Sequence, residues 1–353
     1  MSHELLSRSP DLARLVAEGY AVRIVGGHLV LEEVPYVDRT RRVRRGRLIS
    51  DLSLRGDVTS RPTNHVAKFD GERPCDRNGE PLQDIFLTSC TETLCPGLES
   101  RHQFSSKPPE GYVDYHHKMS TYASILAGHA SVLEPGASAC AGFGVRGAGT
   151  SVFAYLDTAS AKSGLAALSA QLEQERVGII GLGGTGSYVL DQVAKTPVQE
   201  IHLFDDDALL QHNAFRAPGA VPLDTLRANP LKVEYYRDVY SRMHHGIHAH
   251  AVAIDRSNLN LLDDLSFVFI SIDRGGDKRL ILEKLEETGA SFIDVGMGLE
   301  LVDGSLGGIV RTTASTPGRR EPGRTGRIPL DDEAGDNVVT LRLARADLAE
   351  RSD

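Results

Sequence analysis

The sequence has little cysteine, no long apolar run and no excess of positive charge. Its four cysteines in 353 residues form no dense disulfide framework, which is typical of a reducing compartment. No signal-peptide pattern opens the chain, and no segment approaches the ~20 apolar residues of a membrane span. The formal net charge of −9 disfavours a nucleic-acid partner. We therefore expect a cytoplasmic protein that binds neither membrane nor nucleic acid.

The most informative stretch of the chain is residues 176–216. An apolar run at 177–180 predicts a buried strand that enters a glycine-rich loop. Helix-like sequence follows, and then a second apolar run at 201–204. Glycine tolerates the positive φ values of such turns, and its missing side chain lets a phosphate approach the free N–H groups at the helix start. The pattern indicates a Rossmann-type nucleotide site. Its candidate loop residues are Gly181, Gly183, Gly184 and Gly186.

Polar residues follow the second apolar run. Asp205 lies where a carboxylate can accept hydrogen bonds from ribose hydroxyls, whereas Asp207 either belongs to the same site or only shapes the turn. Asn213 and Arg216 lie just beyond, where a dehydrogenase does not need them. A lone arginine is most often a solvated surface residue, but its place in an ordered pattern favours a functional role.

The series of motifs resembles the superfamily of ThiF, MoeB and the ubiquitin-activating enzymes. The family pattern is GxGGxG, D-x-D, N-x-x-R, a downstream lysine, and an aspartate after another apolar strand. The matching residues after the glycine loop are, in order, Asp205, Asp207, Asn213, Arg216, Lys232 and Asp273. The resemblance covers about residues 175–313.

The resemblance implies an ATP-dependent adenylyltransferase. A ubiquitin-like or sulfur-carrier protein would attack the α-phosphate of ATP with the carboxylate of its C-terminal glycine. Because both reactants are anions, the enzyme would act mainly by neutralising charge and positioning them. Arg216 and Lys232 would hold the phosphates, Asn213 would add a polar contact, and Asp273 would bind Mg²⁺. Relatives also imply a homodimer and possible contact with a conjugating enzyme.

Two departures from the family pattern concern the catalytic cations and their neighbours. The family has asparagine directly after the magnesium-binding aspartate, whereas Arg274 follows Asp273 here. The R-x-x-R-Q segment with the arginine finger is absent. The candidate replacements for the finger are Arg146, Lys162 and Arg176, and those for a later basic position of the family are Lys278 and Arg279.

The cysteines depart from the thioester-forming branch of the family. That branch carries its cysteine after the magnesium-binding aspartate, but all four cysteines here precede the glycine loop. Either the protein only adenylates, as the MoeB-like branch does, or the amino-terminal region supplies the thiol, with Cys90 and Cys95 as the candidates. His65, Cys75, Cys90 and Cys95 also form a weak candidate zinc set, although their spacing fits no standard pattern.

The expected fold class is α/β, with a Rossmann-like, doubly wound and mainly parallel sheet after a separate α+β domain. We place the amino-terminal domain at 1–150, the ThiF-like adenylation domain at 151–315 and a loop-rich tail at 316–353. Within the first domain, the pattern predicts a hairpin of strands at 20–24 and 28–32, loops to about residue 110, and a helix at 112–129. A further helix is predicted at 157–174.

Three other functions remain open from the sequence. An NAD(P)-dependent oxidoreductase would explain the glycine loop and Asp205, but not the later residues in series. A non-catalytic scaffold would keep the fold without the chemistry, since fold does not guarantee function. An enzyme that adenylates a small molecule or peptide would share the nucleotide pocket, because that pocket does not encode the acceptor.

Overall fold

The computed structural model describes residues 2–140, 151–272, 275–302, 305–320 and 328–330. The chain forms two compact units, Met1–Gln171 and Leu172–Asp353. The predicted domain boundaries at 150 and 315 stay predictions, and the predicted linker at 142–149 lies outside the described residues. Within the described part of the chain, no helix is long and apolar enough to cross a membrane.

The first unit is built on an antiparallel sheet of six strands in the order β1-β2-β3-β6-β8-β7. The strands, with a short ribbon formed by β4 and β5, are β1 Ala21–Val25, β2 His28–Val37, β3 Val43–Asp51, β4 Leu54–Arg55, β5 Val58–Thr59, β6 Val66–Asp70, β7 Phe86–Cys95 and β8 Leu98–Ser105. The helices are α1 Ser2–Arg8, α2 Pro10–Ala17, α3 Tyr115–Leu133, α4 Ala159–Lys162 and α5 Ala166–Ser169, followed by a 3₁₀ turn at Ala170–Leu172.

The long helix α3 forms most of the core against this sheet. Asp114 caps it, since its side chain accepts a hydrogen bond of 2.7 Å from the His117 N–H. The buried side chains of Tyr115, Met119 and Tyr122 recur at helical spacing and join the apolar cluster of the sheet. The unit is therefore of the α+β type predicted for the amino-terminal region.

Two secondary-structure predictions for this unit are wrong. The stretch up to residue 110 is not loop-rich, because it contains β3, β6, β7 and β8. Strand β7 was missed because none of its first eight residues is buried, so it carries no apolar signal of period two. The continuous helix at 157–174 is also absent, since only short helical pieces form there and Gly164 interrupts them with a φ of +67°.

The second unit is a mainly parallel sheet in the order β11-β10-β9-β12-β13-β14. All neighbouring pairs are parallel except β13 with β14. The strands are β9 Arg176–Ile180, β10 Glu200–Phe204, β11 Ile247–His250, β12 Phe267–Ile270, β13 Ser291–Val302 and β14 Ser305–Ser315. The helices are α6 Gly184–Val193, α7 Gln211–Ala214, α8 Leu223–Ala228, α9 Lys232–Tyr240 and α10 Gly275–Thr288, with a 3₁₀ turn at Leu259–Leu262.

Apolar clusters cover both faces of this sheet. One cluster joins Ile179 and Leu203 of the strands to Leu190 of α6 and Val233 of α9. The other joins alternate strand residues to α10 and the 3₁₀ turn. This layering confirms the α/β class predicted from the sequence.

The strand order fixes where a ligand site can form. From β9 the chain moves outward through β10 and β11, and it then returns to β12 on the other side of β9. Open parallel sheets bind ligands at such a switch point, beyond the carboxyl ends of the two central strands. Here those ends are Ile180 of β9 and Ile270 of β12, which are paired in register.

Candidate functional site

Two of the four loop glycines are required by the protein's own backbone. Gly181 has a φ of +87°, and a β-carbon there would lie 2.7 Å from the Ser271 carbonyl oxygen. A β-carbon on Gly186 would lie 1.8 Å from the Gly181 carbonyl oxygen. Any side chain at either position would displace the loop from β12 or from the first turn of α6.

The other two glycines have no such packing reason. A β-carbon on Gly183 would meet nothing within 4 Å, and one on Gly184 would make only an ordinary contact, 3.5 Å from Arg216. Gly183 is the N-cap residue of α6, so the first N–H groups of that helix start beside this open space. Unpaired N–H groups and the helix dipole favour an anion at such a place.

Lys232 lies between the two aspartates of the predicted D-x-D motif. Its Nζ is 3.2 Å from Asp205 Oδ1 and 2.6 Å from Asp207 Oδ2. The Lys232 and Asp205 side chains are only 6% and 8% exposed, whereas that of Asp207 is 65% exposed. The structure therefore brings these three predicted residues together at the carboxyl end of β10.

Asp205 also fastens the glycine loop. Its Oδ2 accepts a hydrogen bond of 2.7 Å from the Leu182 N–H, and its Oδ1 accepts one of 3.0 Å from the Asp207 N–H. With Lys232 as a third partner, most of the acceptor capacity of this carboxylate is used inside the protein. Asp207, by contrast, presents an exposed carboxylate beside the loop.

Asn213 and Arg216 differ sharply in exposure. Asn213 is buried, and its Oδ1 accepts a hydrogen bond of 2.8 Å from the Leu210 N–H at the start of α7. Its Nδ2 lies 3.3 Å from the imidazole of His212. Arg216 is exposed just after α7, and its β-carbon lies close to Gly184. The base of the Arg216 side chain thus lies beside the glycine loop, just after α7.

Ser271 is a residue of this site that the sequence reasoning missed. Its hydroxyl donates to the Gly181 carbonyl at 2.8 Å and lies 3.2 Å from the Ile180 carbonyl, so it ties the loop to the end of β12. Its position directly after the apolar strand was the available signal. Asp273, the predicted Mg²⁺ ligand, follows two residues later and lies outside the described residues.

A second group of charges lies at the level where β12 ends. Asp294 of β13 is fully buried and pairs with Ile270 across the sheet. Its carboxylate is 2.9 Å from Lys278 Nζ and 2.6 Å from an Arg311 guanidinium nitrogen. Lys278, a candidate for the later basic position, is therefore buried in an ion pair, while Arg279 is exposed.

Among the candidates for an arginine finger, Arg176 lies away from the glycine loop. Arg176 is the first residue of β9, at the end of the strand opposite the glycine loop, and it faces Glu200 at 3.5 Å. Lys162 ends α4 in the first unit. Arg146 lies outside the described residues.

The two candidate thioester cysteines differ in burial. Cys90 is exposed on β7, in a recess that Arg73, Arg101 and His102 also line. Cys95 is buried, against Gly26. A thioester requires an accessible thiolate, so Cys90 remains the better candidate. The proposed zinc set of His65 and three cysteines is not among the groups of metal-ligand atoms that lie within 4.8 Å of one another in the described part of the chain.

The second unit is thus an α/β domain with a glycine-rich strand-to-helix loop at the switch point of its sheet. Residues 160–313 match the ThiF family model. The family recognised from the sequence motifs is therefore confirmed. Residues 10–158 match a second family model, described as a domain of unknown function (DUF6791). No curated protein matches the chain.

Solved structures similar to this chain include PaaA, E. coli MccB with AMPCPP and MccA, and E. coli tRNA N6-threonylcarbamoyladenosine dehydratase, TcdA. PaaA is 17% identical, with 52% of this chain and 55% of PaaA covered and a TM-score of 0.35. MccB is 19% identical, with 43% of this chain and 42% of MccB covered and a TM-score of 0.35. TcdA is 16% identical, with 37% of this chain and 58% of TcdA covered and a TM-score of 0.31. The chain thus spans about half the length of these proteins.

Proposed function

We propose that this protein uses Mg-ATP to adenylate the C-terminal glycine carboxylate of a ubiquitin-like or sulfur-carrier protein. The observation that carries the proposal is the position of Arg216 beside a glycine loop whose Gly183 faces open space. Arginine binds phosphate oxygens through two parallel hydrogen bonds, so it can neutralise the triphosphate above the loop. ThiF-family membership of residues 160–313 supports the reaction class.

The sheet supports the nucleotide-binding part of the proposal. With its strands renumbered from β9, the order is 3-2-1-4-5-6, which is that of a Rossmann-type sheet apart from the antiparallel last strand. The phosphates would lie over Gly183 and Gly184 at the start of α6. The exposed Asp207 is better placed than the buried Asp205 to accept hydrogen bonds from the ribose hydroxyls.

Lys232 would act on the phosphates only after its contacts change. In the free protein its ammonium group is held by Asp205 and Asp207. When Asp207 engages a ribose, one of those contacts is released, and the three donors of the ammonium group can turn toward the phosphates. Asp273 would bind Mg²⁺, which is usually held by one or two carboxylates together with phosphate oxygens.

Charge and the reaction that the family performs support the carboxylate of a carrier protein as the group that receives the adenylyl group. A carboxylate nucleophile meets a triphosphate only if cations and metal neutralise both anions. The proposed enzyme works as a homodimer in the cytoplasm, with a carrier protein ending in glycine as its substrate. A conjugating enzyme is a further partner if a thioester forms on Cys90.

The test is ATP–pyrophosphate exchange with Mg²⁺, measured with and without carrier proteins that end in glycine. Arg216→Ala should lower exchange by at least a hundredfold, since one charge-stabilising donor contributes about 10²–10³ in rate. Arg227→Ala is the matched control, because Arg227 is an exposed arginine of α8 that pairs only weakly with Asp224 within its own helix. Equal activity of the two variants would remove Arg216 from the site.

The same assay, combined with direct measurements of ATP and NAD(P) binding, separates the rival functions. ATP binding without exchange, for any carrier, would favour the scaffold or the adenylation of a small molecule or peptide. Binding of NAD(P) without ATP would favour the oxidoreductase. Carrier-dependent exchange is the result that the proposal predicts.

A further inference from the structure

A cluster of imidazoles lies on the two outer parallel strands of the second unit, away from the glycine loop. Side chains on a strand alternate between faces, so Glu200 and His202 of β10 share one face, as do His248 and His250 of β11. The register pairs His202 directly with His248. Parallel pairing therefore gathers four possible metal ligands onto one patch of the sheet edge.

The geometry of this histidine cluster is close to that of a metal site. His202 Nε2 lies 3.1 Å from Glu200 Oε2, and the rings of His202 and His248 are stacked with centroids 4.8 Å apart. One ligand atom from each of Glu200, His202 and His248 lies within 4.8 Å of the others. Ligand atoms in a tetrahedral zinc site are about 3.3–3.6 Å apart, given bonds of about 2.0–2.2 Å. Small side-chain rotations therefore suffice to bring the three ligand atoms to the separations of a zinc site.

His250 supplies the contact that orients a ligating imidazole. Its Nε2 lies 3.1 Å from His202 Nδ1, and its ring stacks on Phe204 with centroids 4.6 Å apart. A metal-bound histidine usually donates its other ring N–H to a fixed acceptor, which sets its tautomer. With His250 Nε2 as that acceptor, His202 Nδ1 carries the proton and Nε2 is left for the metal.

From this arrangement we propose that Glu200, His202 and His248 bind a divalent transition metal of the Zn²⁺ class, with His250 as the positioning residue of His202. Two imidazoles and one carboxylate are a donor set that suits zinc. His248 is exposed, so water can fill the remaining coordination position. The metal would fasten the edge strand β11 to β10.

The proposed metal site is independent of the proposed adenylation. Glu200 and His248 are the first and second residues of their strands, whereas Asp205 follows the last residue of β10. The three proposed ligands thus lie toward the amino-terminal ends of the strands. His250 ends β11, where its backbone carbonyl accepts a hydrogen bond of 3.4 Å from the Asp205 N–H. The Arg176 guanidinium also faces Glu200, at 3.5 Å, and the metal would share this carboxylate with it.

The test is equilibrium dialysis of the untagged, chelator-treated full chain against Zn²⁺, with the bound metal counted by mass spectrometry. The variants are Glu200→Gln and His248→Asn, both conservative and at side chains that are not fully buried. His245→Ala is the matched control, since His245 is an exposed histidine three residues before His248 and outside the cluster. Circular dichroism verifies that each variant is folded.

We expect the wild type and His245→Ala to bind one more equivalent of Zn²⁺ than the two cluster variants, or to bind it at least tenfold more tightly. His250→Ala should weaken binding by about 10- to 100-fold, as the loss of an orienting partner does. The midpoint of thermal unfolding should rise with Zn²⁺ in the wild type but not in His248→Asn. The proposal is overturned if the wild type binds no Zn²⁺, or if the cluster variants bind as much and as tightly as it does.

Discussion

Lys232 Nζ lies 3.2 Å from Asp205 Oδ1, and this ion pair joins the start of α9 to the carboxyl end of β10. Both side chains are almost fully buried. Asp205 in turn accepts the Leu182 N–H, so the lysine, the aspartate and the glycine loop form one connected unit. The shape of the candidate nucleotide site therefore depends on an ion pair between two residues, Asp205 and Lys232, that lie far apart in the sequence.

Breaking this pair should destabilise the second unit. Lys232→Met leaves the buried Asp205 carboxylate without its cation, and breaking a buried pair costs about 3–5 kcal/mol. Adding Asp205→Asn removes the unpaired charge and keeps an acceptor for the Leu182 N–H, so the double variant should recover much of that loss. Chemical denaturation followed by circular dichroism checks both steps. A double variant no more stable than Lys232→Met would show that the charge pair is not the cause.

The loop glycines should separate folding from ligand binding. Gly183→Ala should fold normally, since its β-carbon meets nothing within 4 Å, but it should weaken ATP binding at least tenfold because the methyl group enters the phosphate position. Gly186→Ala should fail to fold, because its β-carbon would overlap the Gly181 carbonyl. Calorimetric titration with Mg-ATP and thermal unfolding measure the two effects. Normal ATP binding by Gly183→Ala would place the phosphates elsewhere.

The stability of the first unit should depend on pH through Lys118. This lysine is buried and donates to Ser50 Oγ at 2.9 Å and to the Val66 carbonyl at 2.7 Å. Burial lowers its pKa from 10.5 to about 8. Between those two values the unfolded chain binds a proton that the folded chain does not, so stability rises as the pH rises from about 8 toward 10.5.

Comparison with Lys118→Met isolates this contribution. The whole pKa shift of Lys118 corresponds to roughly 3 kcal/mol in the free energy of unfolding. The part of this change that develops below pH 10 can be measured before the titration of other groups dominates. The difference in unfolding free energy between wild type and variant should therefore grow in favour of the wild type between pH 8 and 10. A difference that stays constant over that range would show that Lys118 keeps its ordinary pKa in the folded protein.

A covalent carrier adduct, if one forms, should depend on Cys90 alone. Cys90→Ser should abolish an adduct that thiols release, while leaving ATP–pyrophosphate exchange within twofold of wild type. Cys140→Ser is the matched control, because Cys140 is also an exposed thiol. Gel electrophoresis with and without a reducing thiol distinguishes them. Loss of the adduct in Cys140→Ser, with retention in Cys90→Ser, would assign the thioester to the other cysteine.

The parts of the fold that were predicted from the sequence are those with local signals. The strands around residues 177–180 and 201–204 and the turn at Gly181 follow from apolar runs and glycine chemistry within a few residues. The first hairpin, β1 with β2, follows in the same way from the alternation around Gly26 and Gly27, which both have positive φ.

The parts that were missed depend on contacts between distant segments. Strand β7 is held by its pairing with β8 rather than by a buried apolar face, so its residues carry no strand pattern. The ion pairs of Asp294 with Lys278 and Arg311 likewise arise only once β13, β14 and α10 are assembled. The histidine cluster requires the register of β10 with β11, which no local pattern encodes.

The most direct test of the central claim is the intact mass of a carrier protein after incubation with this protein and Mg-ATP. The incubation contains no further molecule to which the activated carrier could be transferred. Our account predicts a mass increase of one adenylyl group on a carrier that ends in glycine, absent when the terminal glycine is removed or when Arg216→Ala replaces the wild type. ATP binding without adenylyl transfer to any carrier that ends in glycine would contradict it.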